Sequence, residues 1–193
     1  SMNNFKKIIN KNFAEHREIL AACEINLSKK IVKAVEMITN SLKKNNLILW
    51  CGNGGSASDS MHFSTEFIGR YKNNRKPLRS LSLSSDQAAI SCIANDFGYE
   101  KIFSRQVEAL GKNGDILICL TTSGNSKNIF NAIKAAKKKK LKTILISGNK
   151  GGICKKLCTH EILIPTSITS RIQEMQLMIG HLIIELVEKK LDI

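Results

Sequence analysis

An apolar run that breaks into a glycine-rich turn, within residues 47–66 (LILWCGNGGSASDSMHFSTE), constrains this chain more than any other feature. A continuous apolar run of this length is typical of a strand buried on both faces, as in a parallel sheet covered by helices. The turn Gly52-Asn53-Gly54-Gly55 lets a ligand approach the main chain closely. Ser56 is predicted to start a helix, with Asp59 as its capping-box partner. The free N–H groups at such a helix start favour a bound anion.

The helix predicted after this turn carries two polar side chains on one face. His62 and Glu66 are four residues apart, so an α-helix places them on the same side. The turn matches neither the Walker A spacing nor GxGxxG, so it indicates no nucleotide or NAD site. Taken alone, an ordinary connection with two solvated side chains explains the stretch equally well, because His-x-x-x-Glu is common on helices.

A second apolar run, residues 115–120, leads into a turn rich in hydroxyl groups and then into a helix predicted over about 126–139. The hydroxyls belong to Thr121, Thr122, Ser123 and Ser126. Several uncharged donors beside a helix start suit a phosphate monoester. The alternative is that Ser126 caps the helix and the other hydroxyls fill a polar turn. No lysine occupies the P-loop position, which argues against transfer of a nucleotide phosphate.

Strands and helices alternate from the first apolar run onward. Further strands are predicted at 79–84, 143–147 and 161–165, a turn at 95–98 inside a helical region, and a long helix over about 170–190. This order predicts an α/β fold with a parallel sheet of about five strands and helices on both faces. Ligands bind such sheets at the carboxyl ends of the strands. We therefore expect the two turns to face one crevice.

Two amphipathic helices are predicted ahead of the first strand, over about 4–23 and 27–42, because apolar residues recur there every three or four positions. They belong to no strand–helix unit, so we expect them to pack on the sheet or on another subunit. A length of 193 residues predicts one domain, with residues 1–45 as a helical arm and residues 46–193 as the α/β core.

The formal net charge of +14 is concentrated most densely at Lys137 to Lys140, where a helix should end and cations are favoured. No aromatic residues interleave with these lysines, so a solvated helix end is a better interpretation than a nucleic-acid site. The charge can steer an anionic substrate toward the protein. The most apolar late stretch, residues 182–187, is short and contains a carboxylate, which predicts no membrane span.

The six cysteines do not have the spacing of a secreted disulfide framework. Cys154, Cys158 and His160 could form part of a metal site, but no second pair completes it, so buried or idle thiols are the preferred interpretation. The N-terminal residues show no apolar signal-peptide region. A reducing, cytoplasmic compartment is therefore expected.

Seven short motifs occur in one order along the chain, and together they resemble the sedoheptulose 7-phosphate isomerases, or phosphoheptose isomerases, of the sugar-isomerase (SIS) superfamily. The resemblance covers nearly the whole chain. The motifs are Gly52-Asn53-Gly54-Gly55-Ser56, Met61-His62-Phe63 with Glu66, Gly69-Arg70-Tyr71, Asn95-Asp96-Phe97-Gly98, Phe103-Ser104-Arg105, Thr122-Ser123-Gly124-Asn125-Ser126 and Arg171-Ile172-Gln173-Glu174. The hydroxyl-rich turn is general to the superfamily, whereas the first turn combined with His62/Glu66 and Gln173/His181 is much more particular.

The resemblance implies a three-layer, flavodoxin-like SIS domain and a homotetramer with active sites at subunit interfaces. It implies conversion of D-sedoheptulose 7-phosphate, in its acyclic form, to D-glycero-D-manno-heptose 7-phosphate, in heptose precursor biosynthesis for lipopolysaccharide or capsule. The residues implied to hold the phosphate are Thr121, Thr122, Ser123 and Ser126, and those implied to contact the sugar are Asn53, Gly54, Gly55, Glu66, Asn95, Asp96 and Gln173.

The resemblance also implies an acid–base pair, Glu66 and His181, that moves a proton between C1 and C2 through an enediolate. Several members bind zinc at the positions that match His62, Glu66, Gln173 and His181. Zinc would compete with the proton for Glu66, so we expect this carboxylate to change role as the substrate arrives. Ser170 stands where relatives are expected to carry Asp, which removes any carboxylate role at that position.

Three other functions share parts of this pattern. The superfamily includes a non-enzymatic protein that associates with the DnaA initiator and would use its surface instead of the crevice. The joint presence of His62, Glu66, Gln173 and His181 favours an enzyme over that role. A sugar-phosphate-sensing transcription factor would need a DNA-binding module, which residues 1–45 do not supply. An isomerase of a pentose or hexose phosphate would differ in pocket length, which the sequence leaves open.

Overall fold

All five strands lie in one parallel sheet, in the order β2-β1-β3-β4-β5, in the computed structural model, which describes residues 2–193. The strands are β1 Ile48–Gly52, β2 Ser80–Ser82, β3 Ile116–Thr121, β4 Lys142–Gly148 and β5 His160–Ile164. The helices are α1 Met2–Lys43, α2 Gly55–Ile68, α3 Gln87–Phe97, α4 Ser104–Leu110, α5 Lys127–Lys138 and α6 Thr169–Leu191. Across residues 2–193, none of the helices combines the length and apolarity that crossing a bilayer requires.

Each face of the sheet is covered by its own set of helices, so the predicted three-layer sandwich is confirmed. Ile48 and Trp50 of β1 face a core shared with α1, α2 and α6, whereas Leu49 and Cys51 face a core shared with α4 and α5. Every residue of β1 and β3 is buried, which explains their uninterrupted apolar runs. The strand order is the flavodoxin-like one, with its switch point between β1 and β3.

The N-terminal arm is a single helix of 42 residues, α1, so the prediction of two helices is wrong. The expected break at residues 24–26 contains neither proline nor glycine, and the polar side chains there bond to the helix's own carbonyl groups. Asn26 Nδ2 donates to the Ala22 carbonyl at 2.8 Å, and Ser28 Oγ donates to the Glu24 carbonyl at 2.5 Å. The buried residues of α1 run from Ile19 to Ser41, and Arg171 of α6 donates to the Asn12 carbonyl, so the helix projects from the core ahead of Asn12.

Two predicted local features differ from the structure. The capping box of Ser56 and Asp59 is wrong, because α2 begins at Gly55 and its N-cap is Gly54, with no side-chain cap. Gly54 has φ 57°, which glycine adopts without strain, so the chain turns into the helix without a capping side chain. Residues 95–97 form the last turn of α3, and the predicted interruption of the helical region falls at Gly98, where φ is 93° and the helix ends. The other predicted elements are present, with bounds shifted by one or two residues.

The contact between α2 and α6 depends on a glycine. A Cβ atom added to Gly180 of α6 would overlap the ring of Phe63 on α2. The next residue of α6, His181, packs against the same ring, with ring centroids 5.8 Å apart at 85°. The close approach at Gly180 therefore sets where the polar side chains of α2 and α6 meet.

Gly180→Ala is expected to lower the free energy of unfolding by about 1–3 kcal/mol, because the added methyl group displaces the buried Phe63 ring. Helix propensity alone favours alanine, so a loss of stability reports the contact between the helices. Urea denaturation measures the change, with Glu185→Ala, an exposed position on the same helix, as the control. A Gly180→Ala protein as stable as the wild type would show that this contact has room for a methyl group.

Candidate active site

A small polar cleft lies at the carboxyl ends of β1 and β3, so the two turns face one crevice as predicted. Its lining comes from both turns, from the start of α2 and from the first turns of α6. The lining residues are Asn53, Ser56, Leu120, Thr121, Thr122, Ser126 and Gln173. None of them is charged. The cleft therefore offers hydroxyls, amides and helix N–H groups in place of cations.

Two of the four hydroxyls of the β3 turn hold the turn itself, and a third stands free at the start of α5. Thr121 Oγ1 accepts from the Gly124 N–H at 3.2 Å and Ser123 Oγ accepts from the Asn125 N–H at 3.1 Å, so these two brace the turn. Ser126 is the N-cap residue of α5, yet its side chain makes no capping hydrogen bond. Ser126 therefore occupies the N-cap position without a capping bond from its side chain, which contradicts that part of the alternative, and its hydroxyl remains available at a helix N-terminus.

A reciprocal amide pair joins the two turns. Asn53 Nδ2 donates to Asn128 Oδ1 at 2.9 Å, and Asn128 Nδ2 donates to Asn53 Oδ1 at 2.8 Å. The Tyr99 hydroxyl donates to the same Asn53 oxygen at 3.1 Å. Asn53 was predicted as a sugar contact, and its amide is already engaged by these partners. Asn128 was missed, and the signal was its polarity at a buried position in the first turn of α5.

Three titratable side chains meet where α2 packs on α6, two from α2 and one from α6. His62, Glu66 and His181 each offer a ligand atom, and these atoms lie within 4.8 Å of one another. His62 Nε2 lies 3.6 Å from Glu66 Oε1. The two imidazole rings are 5.0 Å apart at 77°. The cluster can hold a metal ion or move protons between a carboxylate and imidazoles.

Gln173 lies against the glycine turn of β1. Its Nε2 atom is 3.4 Å from a Cβ atom placed on Gly55, and it also lines the cleft. It precedes His181 by eight residues, which is about 12 Å along a helix. The structure therefore brings together three of the four predicted metal positions and seats the fourth beside the glycine turn.

Two residues beside the cluster were not predicted as site residues. Asp59 lies one turn before His62 on α2. Burial raises the pKa of the Asp59 carboxyl, while His62 and His181 act in the opposite direction. Tyr71 stacks on the His181 ring with centroids 5.5 Å apart and planes at 6°. The three-residue spacing of Asp59 and His62 predicts that both lie on one side of α2. Tyr71 lies in a loop whose path the sequence does not reveal.

Other predicted residues lie outside the cleft lining. Asn95 and Asp96 are exposed at the end of α3, where Asn95 Nδ2 donates to Asp96 Oδ1 at 2.9 Å. Ser170 is exposed in the first turn of α6. The structure of one chain therefore leaves these positions open to solvent or to a neighbouring molecule.

The thiols and His160 form no second cluster. Burial raises the pKa of the Cys154 thiol to about 12 and that of Cys158 to about 11, so both favour the neutral form. The His160 ring hydrogen-bonds the Lys30 carbonyl at 2.7 Å. Between residues 2 and 193, the group on α2 and α6 is the one set of three or more His, Cys, Asp or Glu side chains close enough to share an ion.

Comparison with known proteins identifies relatives along most of the chain. The family model for the SIS domain matches residues 12–148. Phosphoheptose isomerase 1 from Campylobacter jejuni is 44% identical over 182 residues, which cover 94% of this chain and 97% of that protein.

Two solved structures share the fold over almost their full length. The phosphoheptose isomerase from Neisseria gonorrhoeae superimposes with a TM-score of 0.91 at 33% identity, over 96% of this chain and 99% of that one. The phosphoheptose isomerase from Francisella tularensis gives a TM-score of 0.92 at 30% identity, over 95% of this chain and 97% of that one. The likeness therefore includes α1 as well as the α/β core.

Asn128→Ala is expected to lower the free energy of unfolding by about 1–3 kcal/mol, because it removes both hydrogen bonds between Asn128 and the Asn53 amide at a buried position and leaves Asn53 with the Tyr99 hydroxyl. Asn131→Ala on the same helix removes one exposed hydrogen bond, to the Glu100 carbonyl, and is expected to cost less than about 0.5 kcal/mol. Chemical denaturation of both variants measures the difference. Equal losses would show that the amide pair does not stabilise the junction of the turns.

Proposed function

The chain belongs to the phosphoheptose isomerases of the SIS-domain family, and we propose that it interconverts D-sedoheptulose 7-phosphate and D-glycero-D-manno-heptose 7-phosphate. It is an aldose–ketose isomerase. The observation that carries this assignment is the pairing of an uncharged, hydroxyl-rich cleft with a cluster of one carboxylate and two imidazoles. The cleft suits a phosphate monoester, and the cluster suits proton transfer between neighbouring carbons.

We assign the phosphate of the substrate to the β3 turn. Ser126 presents a free hydroxyl at the N-terminus of α5, where the unpaired N–H groups and the helix dipole favour an anion. Thr122 lines the cleft beside it, and Thr121 and Ser123 accept backbone hydrogen bonds while their O–H groups can still donate. We assign the sugar to Asn53, Gly54, Gly55, Glu66, Asn95, Asp96 and Gln173.

We assign the proton transfer between C1 and C2 to Glu66, and the proton transfers at O1 and O2 to His181. A ketose becomes an aldose when a proton leaves C1 and returns at C2, while the two oxygens exchange carbonyl and hydroxyl roles through an enediolate. The Glu66 side chain is 21% exposed, so little water competes for the proton that it carries. Its position within 4.8 Å of both imidazoles supports the pairing.

We further propose one zinc ion per subunit, held by His62, Glu66 and His181, with Gln173 as a fourth ligand that has to leave its place beside Gly55 to reach the ion. Two imidazoles and one carboxylate are a common zinc donor set, and their ligand atoms are close enough to share one ion. Zinc in this place would polarise the substrate oxygens as a Lewis acid. A carboxylate cannot ligate an ion and accept a proton with the same lone pair, so Glu66 changes role as the substrate arrives.

A homotetramer with active sites at subunit interfaces is the proposed assembly. The first half of α1 carries an apolar stripe, each member of which is more than half exposed: Met2, Phe5, Ile8, Ile9 and Phe13. An exposed apolar stripe of this length marks an interaction site. A second copy of the chain is the proposed occupant, because the second half of α1 already packs in the core and the stripe continues that helix outward.

We propose that residues 1–193 act as a single SIS domain in a reducing cytoplasm, where the product enters heptose precursor biosynthesis for lipopolysaccharide or capsule. The second half of α1 shares one core with the sheet, which supports a single folding unit. All six cysteines are free thiols, which is usual in a reducing compartment.

Purified protein is expected to form the aldose from sedoheptulose 7-phosphate, and Glu66→Gln to lower kcat by about 100-fold or more, because the amide cannot accept the proton. Added zinc is expected to raise the rate. Glu185→Gln, which removes an exposed carboxylate from α6, is the control and should retain full activity.

Two outcomes would contradict these assignments separately. An unchanged rate after exhaustive chelation would refute a catalytic role for zinc and leave the isomerase assignment intact. No turnover by folded protein under any metal condition would instead favour a binding role, such as that of the DnaA-associating relative, or another sugar phosphate as substrate.

Phe13→Asp is expected to shift the protein from a tetramer to smaller species in size-exclusion chromatography with light scattering, because it places a charge in the apolar stripe of α1. Lys11→Asp puts the same side chain on the opposite face of the helix and should leave the assembly unchanged. If the Phe13→Asp protein remains a tetramer, the apolar stripe of α1 is not part of the subunit interface.

A further inference from the structure

The loop between α2 and β2, residues 69–79, is held by one carboxylate of α6. Glu188 accepts hydrogen bonds from the backbone N–H groups of Tyr71, Lys72 and Asn73, at 3.4, 2.8 and 3.4 Å. The Glu188 side chain is 1% exposed, so these N–H groups replace water as its donors. A carboxylate that accepts from three successive backbone N–H groups fixes the path of that backbone.

Arg75 connects the same carboxylate to the end of α2. Its Nε atom donates to Glu188 at 2.8 Å, and its terminal nitrogens donate to the carbonyls of Glu66 and Phe67 at 2.8 and 2.7 Å. Burial alone raises the pKa of Glu188, but a loop N–H and the Arg75 guanidinium outweigh burial, so the pKa lies below its ordinary value. One guanidinium thus ties α2, which carries Glu66, to α6, which carries His181.

The loop held in this way places an aromatic ring on the imidazole of the candidate active site. Tyr71 stacks on His181 with ring centroids 5.5 Å apart and planes at 6°. His62 and Phe63 meet the same imidazole at 77° and 85°. Glu188 follows His181 by seven residues, so both lie on one side of α6 two turns apart. Three rings therefore surround the His181 side chain.

The Arg75–Glu188 ion pair is better suited to fixing the arrangement of the loop and the two helices than to raising the free energy of unfolding. Burying two charges costs desolvation free energy that their attraction only partly recovers, so a buried pair is weak evidence of stability. The hydrogen bonds of the Arg75–Glu188 pair are charge-assisted and directional, which selects one arrangement of the loop and both helices. The neighbouring Lys72–Glu185 pair, at 3.9 Å and about half exposed, has no such constraint.

We propose that Arg75, Glu188 and Tyr71 form a positioning device, the His181 clamp, that holds the His181 imidazole in the orientation needed to work with Glu66. The proposal rests on the isomerase function given above. Arg75 and Glu188 act through Tyr71 and the end of α2, and none of the three is assigned a proton in the reaction. Tyr71 supplies its ring face, so its hydroxyl group is dispensable.

The experiment compares Tyr71→Ala with Tyr71→Phe, using two readouts. Tyr71→Ala is expected to lower kcat for sedoheptulose 7-phosphate and to weaken zinc binding, each by about 10- to 100-fold, because losing a partner that orients a metal ligand has effects of this size. KM should change less than about twofold, since the phosphate turn is untouched. Tyr71→Phe keeps the ring and should restore both values. Isothermal titration with zinc alone gives the affinity independently of turnover.

Glu188→Gln tests the support of the loop, with Glu185→Gln as the matched control on the same helix. Glu188→Gln is expected to lower kcat in the same direction as Tyr71→Ala, whereas the control should match the wild type. If the Glu188→Gln protein does not fold, the comparison of Tyr71→Ala with Tyr71→Phe still tests the clamp.

A folded Tyr71→Ala protein with wild-type kcat and wild-type zinc affinity would overturn the clamp. If wild-type protein binds zinc but does not turn over sedoheptulose 7-phosphate, the proposed function fails, and the zinc affinities of the Tyr71 variants still test the clamp.

Discussion

The candidate site depends on a single topological constraint: β1 and β3 are neighbours in the sheet, yet the helices that follow them cover opposite faces. The chain leaves β1 toward one face and β3 toward the other, so the two turns diverge and leave a cleft between them. The register pairs Gly52 with Leu120, so both turns begin at the same level. The Asn53–Asn128 amide pair spans the cleft at that level and holds the turns at one separation.

A second constraint determines where the three titratable side chains meet. The three titratable groups are divided between α2 and α6, so neither helix forms the cluster alone, and its geometry depends on how closely the helices approach. Gly180 permits that approach by leaving room for the Phe63 ring, and the Arg75–Glu188 pair ties the end of α2 to α6. Two local features, the missing side chain of Gly180 and the buried Arg75–Glu188 ion pair, thus fix how close the α2 groups lie to His181.

Much of this arrangement could be predicted from the sequence, because the decisive signals are local. Continuous apolar runs identified the buried strands, and the alternation of elements identified a parallel sheet with its turns at one edge. The predicted break in α1 is wrong, because polar side chains that hydrogen-bond to the carbonyl groups of their own helix do not end that helix. Asn128 and Tyr71 could not be assigned, because their roles depend on the pairing of β1 with β3 and on the path of the 69–79 loop. Whether Gln173 joins the cluster depends on a side-chain position that spacing along α6 does not determine.

The chain carries a net charge of +14, yet no charged residue lines the cleft. Long-range attraction of an anionic substrate requires only net charge, and it acts from the whole surface. Inside the cleft, the groups that can bind an anion are hydroxyls, amides and the N–H groups at a helix start. Under the proposed function, these neutral groups would hold the phosphate of the substrate. The division between a cationic chain and a neutral cleft therefore separates long-range attraction of an anion, which depends on net charge, from short-range binding, which depends on directional hydrogen bonds.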